Sequence, residues 1–191
     1  MGLRIVIVGV PGVGKSTVVQ KAVESIPGSD LTVFGTEMFE AARKLGWVTH
    51  RDEMRKLRVE RQRRLQRIAA AKITKNTGKK VIFVDTHLFI RTPEGFWPGL
   101  PLAVIQALKP THLLLIEADA PEVLRRRKAD TTRYRDEVTE EEVLAELSLA
   151  RTFLGAASLV SGAPIMFIHN REGKADEAAK KIQALVKSAT A

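Results

Sequence analysis

Residues 9–16 read GVPGVGKS and directly follow an apolar run, LRIVIV, at residues 3–8. An apolar strand that leads into the pattern GxxxxGK(S/T) and then into a helix is typical of a P-loop. We expect Gly9, Gly12 and Gly14 to take positive φ, so that successive backbone N–H groups form a concave site for phosphate oxygens. The N-terminus of the following helix adds a positive field. This stretch therefore predicts a binding site for a nucleoside triphosphate.

Three side chains near this loop suggest how the phosphates are handled. The P-loop pattern places Lys15 on the β- and γ-phosphates and the Ser16 hydroxyl on Mg²⁺. Another apolar run ends at Asp85, and in P-loop proteins such a carboxylate holds the metal. The alternative for Asp85 is a carboxylate that caps a helix or a turn. ATPases that attack with water usually place Glu at the next position, where this chain has Thr86, so we expect transfer to a bound acceptor.

The rest of the chain alternates between two kinds of segment. Apolar runs rich in Val, Ile, Leu and Phe are typical of parallel strands covered on both faces, and they lie at residues 3–9, 31–35, 80–85, 112–117 and 164–168. Segments with helical spacing lie at about residues 15–26, 37–45, 51–76, 120–129, 139–160 and 174–188. This alternation predicts an α/β P-loop NTPase fold: a five-stranded parallel sheet with helices on both faces, in one domain.

The composition is that of a globular protein, with 45% hydrophobic and 28% charged residues in a chain of 191. The absence of cysteine excludes disulfides and thiolate metal sites and favours a reduced compartment. No apolar run approaches the ~20 residues that cross a bilayer, and the first strand begins too early to leave room for a signal peptide. We therefore expect a cytoplasmic protein without membrane association.

The formal net charge of +9 is concentrated in two segments. Residues 51–72 hold nine Lys and Arg against three acids, and residues 121–135 hold six against two. Such segments suit polyanionic substrates, and they suit an RNA surface equally well. Many of these arginines have a simpler interpretation as solvated residues of a helix face.

Arginines near the predicted ligand edge are candidates for phosphate contacts. Arg133 and Arg135 lie in the polar stretch DTTRYRD, residues 130–136, which lies between two predicted helices like a short flap. Closure of such a flap brings guanidinium groups onto a phosphoryl group in transfer and excludes water. Arg55, Arg58 and Arg91 could hold a second phosphate on an acceptor. The stretch FWPGLP, residues 96–101, offers either a flat surface for a base or a hydrophobic contact with the core or another subunit.

Together these stretches resemble the archaeal-type adenylate kinases. The matching sequences are GVPGVGKST (9–17), RDEMRKL (51–57), VDTHLFIRTPEGFWPGLP (84–101) and RRRKADTTRYRD (125–136), in the order and spacing of that family. The resemblance implies reversible Mg²⁺-dependent phosphoryl transfer from ATP to AMP, which gives two ADP. It also implies a nucleoside monophosphate (NMP) kinase fold, with an NMP-binding insertion at about residues 36–78 and a short lid at about 128–139. Members are often homotrimers.

The resemblance also assigns roles by position. The residues implied to bind ATP are Gly9, Val10, Pro11, Gly12, Val13, Gly14, Lys15, Ser16 and Thr17. Those implied to bind AMP are Arg55, Thr86, His87, Arg91, Gly99 and Leu100. Those implied to act on the transferring group are Lys15, Arg91, Arg127, Arg133 and Arg135. Ser16 and Asp85 are the implied metal ligands.

Two alternatives stay open at this point. The first is another kinase of nucleoside monophosphates or of a small metabolite, because base identity depends on a few hydrogen bonds that the sequence does not display. The second is an RNA- or ribosome-associated P-loop protein that binds nucleotide as a switch. The basic segment at 51–72 favours the second, whereas the low aromatic content of 5% argues against it.

Overall fold

The computed structural model describes residues 2–75, 81–92, 94–130 and 138–190, without the side chain of Arg55. Its strands are β1 Leu3–Val8, β2 Ser29–Val33, β3 Val81–Asp85, β4 Phe89–Thr92, β5 Gly95–Pro98, β6 His112–Glu117 and β7 Ile165–His169. Five of them form a parallel sheet in the order β2-β3-β1-β6-β7, and β4 and β5 form a separate antiparallel pair. The predicted sheet is therefore confirmed.

Seven α-helices and one 3₁₀ helix lie among the described residues. The α-helices are α1 Lys15–Ser25, α2 Phe34–Lys44, α3 Val59–Lys75, α4 Leu102–Leu108, α5 Ala120–Ala129, α6 Glu140–Ser161 and α7 Ala175–Thr190, and the 3₁₀ helix is Arg51–Lys56. α1 packs against α7, and α4 packs against α3 and α6. Every residue of β3, and β1 from its second residue on, is buried, as continuous apolar runs require when both faces are covered.

The strand register brings the functional ends of the sheet together. β1 and β3 run parallel with Ile7 opposite Asp85, and the backbone N–H of Thr86 donates to the carbonyl of Ile7 at 3.1 Å. The P-loop begins at Gly9, directly after β1 ends at Val8. Asp85 and the P-loop therefore lie side by side at the carboxyl edge of the sheet, where open α/β sheets bind their ligands.

The segment between residues 89 and 108 is more regular than the sequence indicates. Part of the predicted stiff loop is strand β5, which pairs with β4 so that Ile90 faces Trp97 and Arg91 faces Phe96. Helix α4 follows at once, and its N-cap Pro101 makes no side-chain cap. Its sequence, LAVIQAL, is apolar almost throughout, so periodicity does not identify it as a helix.

The long helix predicted over residues 51–76 is interrupted. A 3₁₀ helix is followed by an extended residue, Leu57 (φ −68°, ψ 143°), before α3 begins. This break lets Leu57 and Met54 pack against a small cluster around Ala42, Val48 and Leu65, separate from the main core. Tertiary packing thus outweighs local helical preference in this segment.

Helix α6 is, within the described part of the chain, the one helix long and apolar enough to cross a membrane by length and composition. This corrects the expectation that no apolar run approaches that length. A core helix of a globular protein can have the same length and apolar composition as a membrane-spanning helix. In this structure α6 packs against α4, α5 and β6. Its charged residues Glu146 and Arg151 pair with Arg127 and Glu117 from other elements.

Candidate active site

The P-loop connects β1 to α1 through two glycines in the left-handed region. Gly12 has φ 93° and Gly14, the N-cap of α1, has φ 80°, as expected. Gly9 does not share this conformation, and the prediction of positive φ there is wrong. A Cβ at Gly9 would instead lie 2.8 Å from the carbonyl oxygen of Ile116 on β6, so glycine allows a close approach of two backbones.

Three successive P-loop carbonyls accept hydrogen bonds from side chains outside the loop. Arg127 Nε donates to Pro11 O at 2.8 Å, Arg126 Nη1 to Gly12 O at 3.5 Å, and Asn170 Nδ2 to Val13 O at 2.8 Å. In a trans peptide the carbonyl of one residue and the N–H of the next point in opposite directions. These contacts therefore turn the N–H groups of Gly12 and Gly14 away from the capping side chains.

Lys15 and Asp85 meet at the base of the loop. Lys15 is 8% exposed and its ammonium contacts Asp85 Oδ1, on a residue that is 9% exposed. Ser16 and Thr17, by contrast, are exposed on the first turn of α1. Apart from Lys15, no described residue donates a hydrogen bond to Asp85 Oδ1. A hydroxyl and a carboxylate are oxygen ligands of the kind that Mg²⁺ prefers, so Ser16 and Asp85 fit the expected metal.

The residues after β3 form a compact wall next to this pair. Thr86 is 6% exposed, whereas His87 is exposed. Gly99 N–H donates to Leu88 O at 2.7 Å, and a Cβ at Gly99 would overlap the carbonyl of His87. The loop of residues 98–101, with half-buried Leu100, therefore closes onto the backbone at residues 87–88, which only glycine at position 99 permits.

Arg91 on β4 binds two carboxylates of α6. Its Nη2 donates to Glu142 Oε1 at 2.9 Å, and its Nη1 lies 3.8 Å from Glu146 Oε1. The second oxygen of Glu146 accepts from Arg127 Nη2 at 2.6 Å. Arg91 is thus joined to the P-loop through Glu146 and Arg127. Arg127 is 9% exposed and lies beside the loop, on α5.

Charged neighbours shift two carboxylates at the rim of the site. The backbone N–H of Thr139, followed by Arg91, lowers the pKa of Glu142 from its ordinary value. Arg126 is the main cause that lowers the pKa of Glu172, with Arg125 adding to it. Both carboxylates are therefore ionised at neutral pH and occupy arginines that an anionic ligand could bind instead.

The roles of all the predicted site residues stay predictions, and for three of these residues the structure does not describe the side chain. Arg133 and Arg135 lie outside the described residues. The backbone of Arg55 belongs to the 3₁₀ helix, but its side chain is not among those described.

Sequence reasoning did not identify Glu142, Glu146 and Asn170 as site residues. Thr139 and Glu142 are recognisable as a capping box, which the structure contains. Glu146 lies four residues later and therefore on the same helix face, which is the one signal that could have pointed to it. Asn170 carries no such signal, because its contact with Val13 spans 157 residues of sequence.

Comparison with known sequences gives a consistent set of relatives. The sequence profile of a family described as an AAA domain matches residues 8–144. The chain is 40% identical to adenylate kinase of Methanocaldococcus jannaschii, over 96% of this chain and 97% of that one. It is 44% identical to adenylate kinase of Pyrococcus furiosus, over 98% and 95% of the two chains. It is 40% identical to adenylate kinase of Methanopyrus kandleri, over 98% and 100%.

Solved structures with a similar fold include two shikimate kinases. The enzyme of Acinetobacter baumannii in complex with shikimate superposes with a TM-score of 0.62 at 21% identity, covering 98% of this chain and 94% of that one. The enzyme of Bacteroides thetaiotaomicron has the same TM-score at 12% identity, covering 97% and 98%. At these identities the similarity shows the fold alone, that of P-loop kinases.

Proposed function

The chain belongs to the adenylate kinase family, and we propose that it transfers a phosphoryl group reversibly from ATP to AMP, with Mg²⁺, to give two ADP. The observation that carries the proposal is the arrangement at the carboxyl edge of the sheet. A P-loop with its carbonyls capped lies on one side, and Arg91, which binds carboxylates, lies on the other. One carboxylate, Glu146, connects the two sides.

On the donor side, the P-loop residues 9–17 hold the phosphates of ATP. The N–H groups of Gly12 and Gly14 and the N-terminus of α1 supply fixed dipoles, which need no reorganisation when charge moves. Lys15 binds the β- and γ-phosphates and follows the phosphoryl group during transfer. For this its ammonium would leave Asp85, the carboxylate that it contacts in this structure.

Mg²⁺ would be held by Ser16 and Asp85. When bound there, the metal would supply positive charge that neutralises part of the negative charge developing on the phosphates during transfer. The movement of Lys15 from Asp85 to the phosphates would free a carboxylate oxygen next to the loop. Ser16 is already exposed on the first turn of α1.

On the acceptor side, Arg91 and Arg55 hold the phosphate of AMP. The wall formed by Thr86, His87, Gly99 and Leu100 lies beside the bound nucleotide. Arg91 already binds the carboxylates of Glu142 and Glu146, and a phosphate presents the same kind of anionic oxygens to a guanidinium. The nucleophile is a phosphate oxygen of AMP, which is anionic at neutral pH and needs no general base.

The organisation of the chain follows from these two sides. Residues 36–78 form the NMP-binding insertion and residues 128–139 a short lid on a single domain. Arg133 and Arg135 in the lid would stabilise the transferring group and help to exclude water. Arg127 would act by holding the P-loop through Pro11.

We also propose that the protein is a cytoplasmic homo-oligomer. The family implies a trimer. Helix α6 exposes 53% of Leu144 and 89% of Leu159, and Phe167 on the edge strand β7 is 50% exposed. Because contiguous exposed apolar surface marks interaction sites, these residues are candidates for the interface between subunits. Light scattering coupled to size exclusion would measure the oligomeric state.

A coupled assay of ADP formation tests the activity. The protein is supplied with Mg-ATP and with AMP, CMP, UMP or GMP as acceptor, each in separate reactions. We expect ADP formation to depend on AMP and to exceed that with the other acceptors by at least about tenfold, the discrimination that one or two base contacts provide. Equal rates with all acceptors, or ATP hydrolysis without acceptor, would contradict the proposal.

A further inference from the structure

Glu146 is a buried carboxylate between the two sides of the site. It lies on the second turn of α6 and is 6% exposed. Oε2 accepts a hydrogen bond from Arg127 at 2.6 Å, and Oε1 lies 3.8 Å from a guanidinium nitrogen of Arg91. One carboxylate thus contacts two arginines that come from different elements, α5 and β4.

Each of these arginines is in turn fixed to a functional part of the molecule. Arg127 donates its Nε–H to Pro11 O, so its position sets the outer turn of the P-loop. Arg91 belongs to the hairpin of β4 and β5, on the acceptor side. A continuous chain of contacts therefore runs from Pro11 through Arg127 and Glu146 to Arg91.

We propose that Glu146 is a positioning residue for phosphoryl transfer, one that sets the P-loop and Arg91 at their working separation. This inference rests on the proposed function, in which the P-loop holds the donor and Arg91 the acceptor. Phosphoryl transfer depends mainly on alignment and electrostatics, so an error of about 1 Å in this separation would cost about 100-fold in rate.

The difference between the two carboxylates that meet Arg91 supports this role. Glu142 is exposed and binds Arg91 at the rim, where an incoming phosphate can displace it. Glu146 is buried, and its second oxygen is committed to Arg127. The acceptor phosphate therefore replaces Glu142, whereas Glu146 keeps its contacts and the geometry that they define.

The test compares Glu146→Gln and Glu146→Asp with the wild type and with a matched control, Glu117→Gln. Glu117 is also 6% exposed and pairs with an arginine of α6, Arg151, through contacts of 2.6 and 3.0 Å. Neither carboxylate oxygen of Glu117 bonds to the P-loop or to Arg91 among the described residues. The control therefore loses an ion pair of an equally buried glutamate, although its arginine partner is more exposed than Arg127, without disturbing the chain of contacts.

We expect kcat for ATP and AMP to fall by about 10- to 100-fold in Glu146→Gln, and to take an intermediate value in Glu146→Asp, which keeps the charge. The KM for AMP should rise several-fold because Arg91 loses the buried carboxylate that positions it, whereas the exposed Glu142, which competes with the phosphate, stays in place. Glu117→Gln should lower the unfolding temperature but leave kcat within about twofold of the wild type. A kcat in Glu146→Gln within twofold of the wild type, or a loss no larger than that of Glu117→Gln, would overturn the proposal.

Two further measurements keep the outcome decisive. If Glu146→Gln does not fold, Glu146→Asp decides, and a wild-type kcat in that variant overturns the proposal. Calorimetric titration with ATP and Mg²⁺ tests the P-loop half without turnover, and we expect about tenfold weaker binding in Glu146→Gln. Unchanged ATP binding in Glu146→Gln contradicts the link to Pro11. An inactive wild type that binds ATP would instead refute the proposed reaction, so the two failures are distinguishable.

Discussion

The ammonium of Lys15 contacts the carboxylate of Asp85, although one residue opens α1 and the other ends β3. Both side chains are nearly inaccessible, at 9% and 12% of their side-chain surface. The parallel register of β1 and β3 creates this contact, because it sets Ile7 opposite Asp85. In this structure the lysine and the carboxylate, which we propose to act on phosphate and metal, therefore compensate each other's charge.

Replacement of Lys15 by Ala should lower kcat by about 100- to 1000-fold, the cost of one preorganised charge contact with a developing anion. Steady-state kinetics with ATP and AMP would measure this. The variant also leaves Asp85 buried without its cation, so its free energy of unfolding should fall by about 3 kcal/mol. The double variant Lys15→Ala with Asp85→Asn should recover part of that stability but none of the activity. Near-normal turnover in Lys15→Ala would contradict the role of the P-loop lysine.

Replacement of Arg91 by Ala should raise the KM for AMP by at least about tenfold and leave the KM for ATP little changed, because in the proposed reaction the guanidinium holds the phosphate of AMP. Initial rates with each nucleotide varied in turn would separate the two constants. Lys21→Ala is a suitable control, since Lys21 forms an exposed pair with Asp176 at 2.8 Å. Such surface pairs contribute little, so this control should match the wild type. An equal rise in both KM values would remove Arg91 from the acceptor site.

Replacement of Asn170 by Ala should weaken ATP binding by about tenfold, because the carbonyl of Val13 loses its donor and the loop N–H groups lose their fixed orientation. Calorimetric titration with ATP and Mg²⁺ would report the change. Gln183→Ala removes another amide that donates to a backbone carbonyl, that of Ser25 at 3.2 Å, at an exposed position. ATP affinity should be unaffected in that control. Equal affinities in both variants would show that capping of the loop carbonyls does not support binding.

Glu142→Gln should lower the KM for AMP by several-fold, because Gln can still close the capping box with Thr139 but competes less for Arg91. The difference in stability between the wild type and Glu142→Gln should depend on pH in a predictable direction. The pKa of Glu142 is lowered by the Thr139 N–H and by Arg91, so its stabilising effect is present above the ordinary glutamate range and is lost as pH falls through the folded-state pKa.

Denaturant unfolding of wild type and Glu142→Gln at pH 7 and pH 3 tests the sign. The wild type should be the more stable protein at pH 7, and the difference should shrink at pH 3. A difference that grows toward acid, or a higher KM for AMP in Glu142→Gln, would contradict this account.

Much of the fold follows from local patterns in the sequence. The buried strands are continuous apolar runs, and the start of α6 is marked by Thr139 and Glu142 as a capping box. The break at Leu57 is not readable in this way, because its extended backbone depends on a cluster with Ala42 and Leu65 from other elements. The same is true of helix α4, whose apolar residues show no contrast between its faces.

The candidate site likewise contains some residues that a sequence motif identifies and others that only the fold brings together. Lys15 and Ser16 are set by a motif of eight residues and could be identified at once. Glu146 could not, because its contacts with Arg127 and Arg91 join positions 19 and 55 residues apart in sequence. These three residues come together only because α6 packs beside both α5 and the β4–β5 hairpin in the folded protein. The P-loop residues that we propose to bind the phosphates of ATP are thus contiguous in sequence, whereas the side chains that contact the loop from outside are not.

The three side chains that cap the P-loop carbonyls have a consequence for biosynthesis. The loop is synthesised before the three residues that cap its carbonyls, Arg126, Arg127 and Asn170. A nascent chain lacks the third cap until Asn170 has been synthesised. Contacts of such long sequence separation also form late in folding. Fragments that end before Asn170 should therefore bind ATP poorly, even where their first strand and helix are formed. High affinity for ATP would indicate that synthesis has passed Asn170.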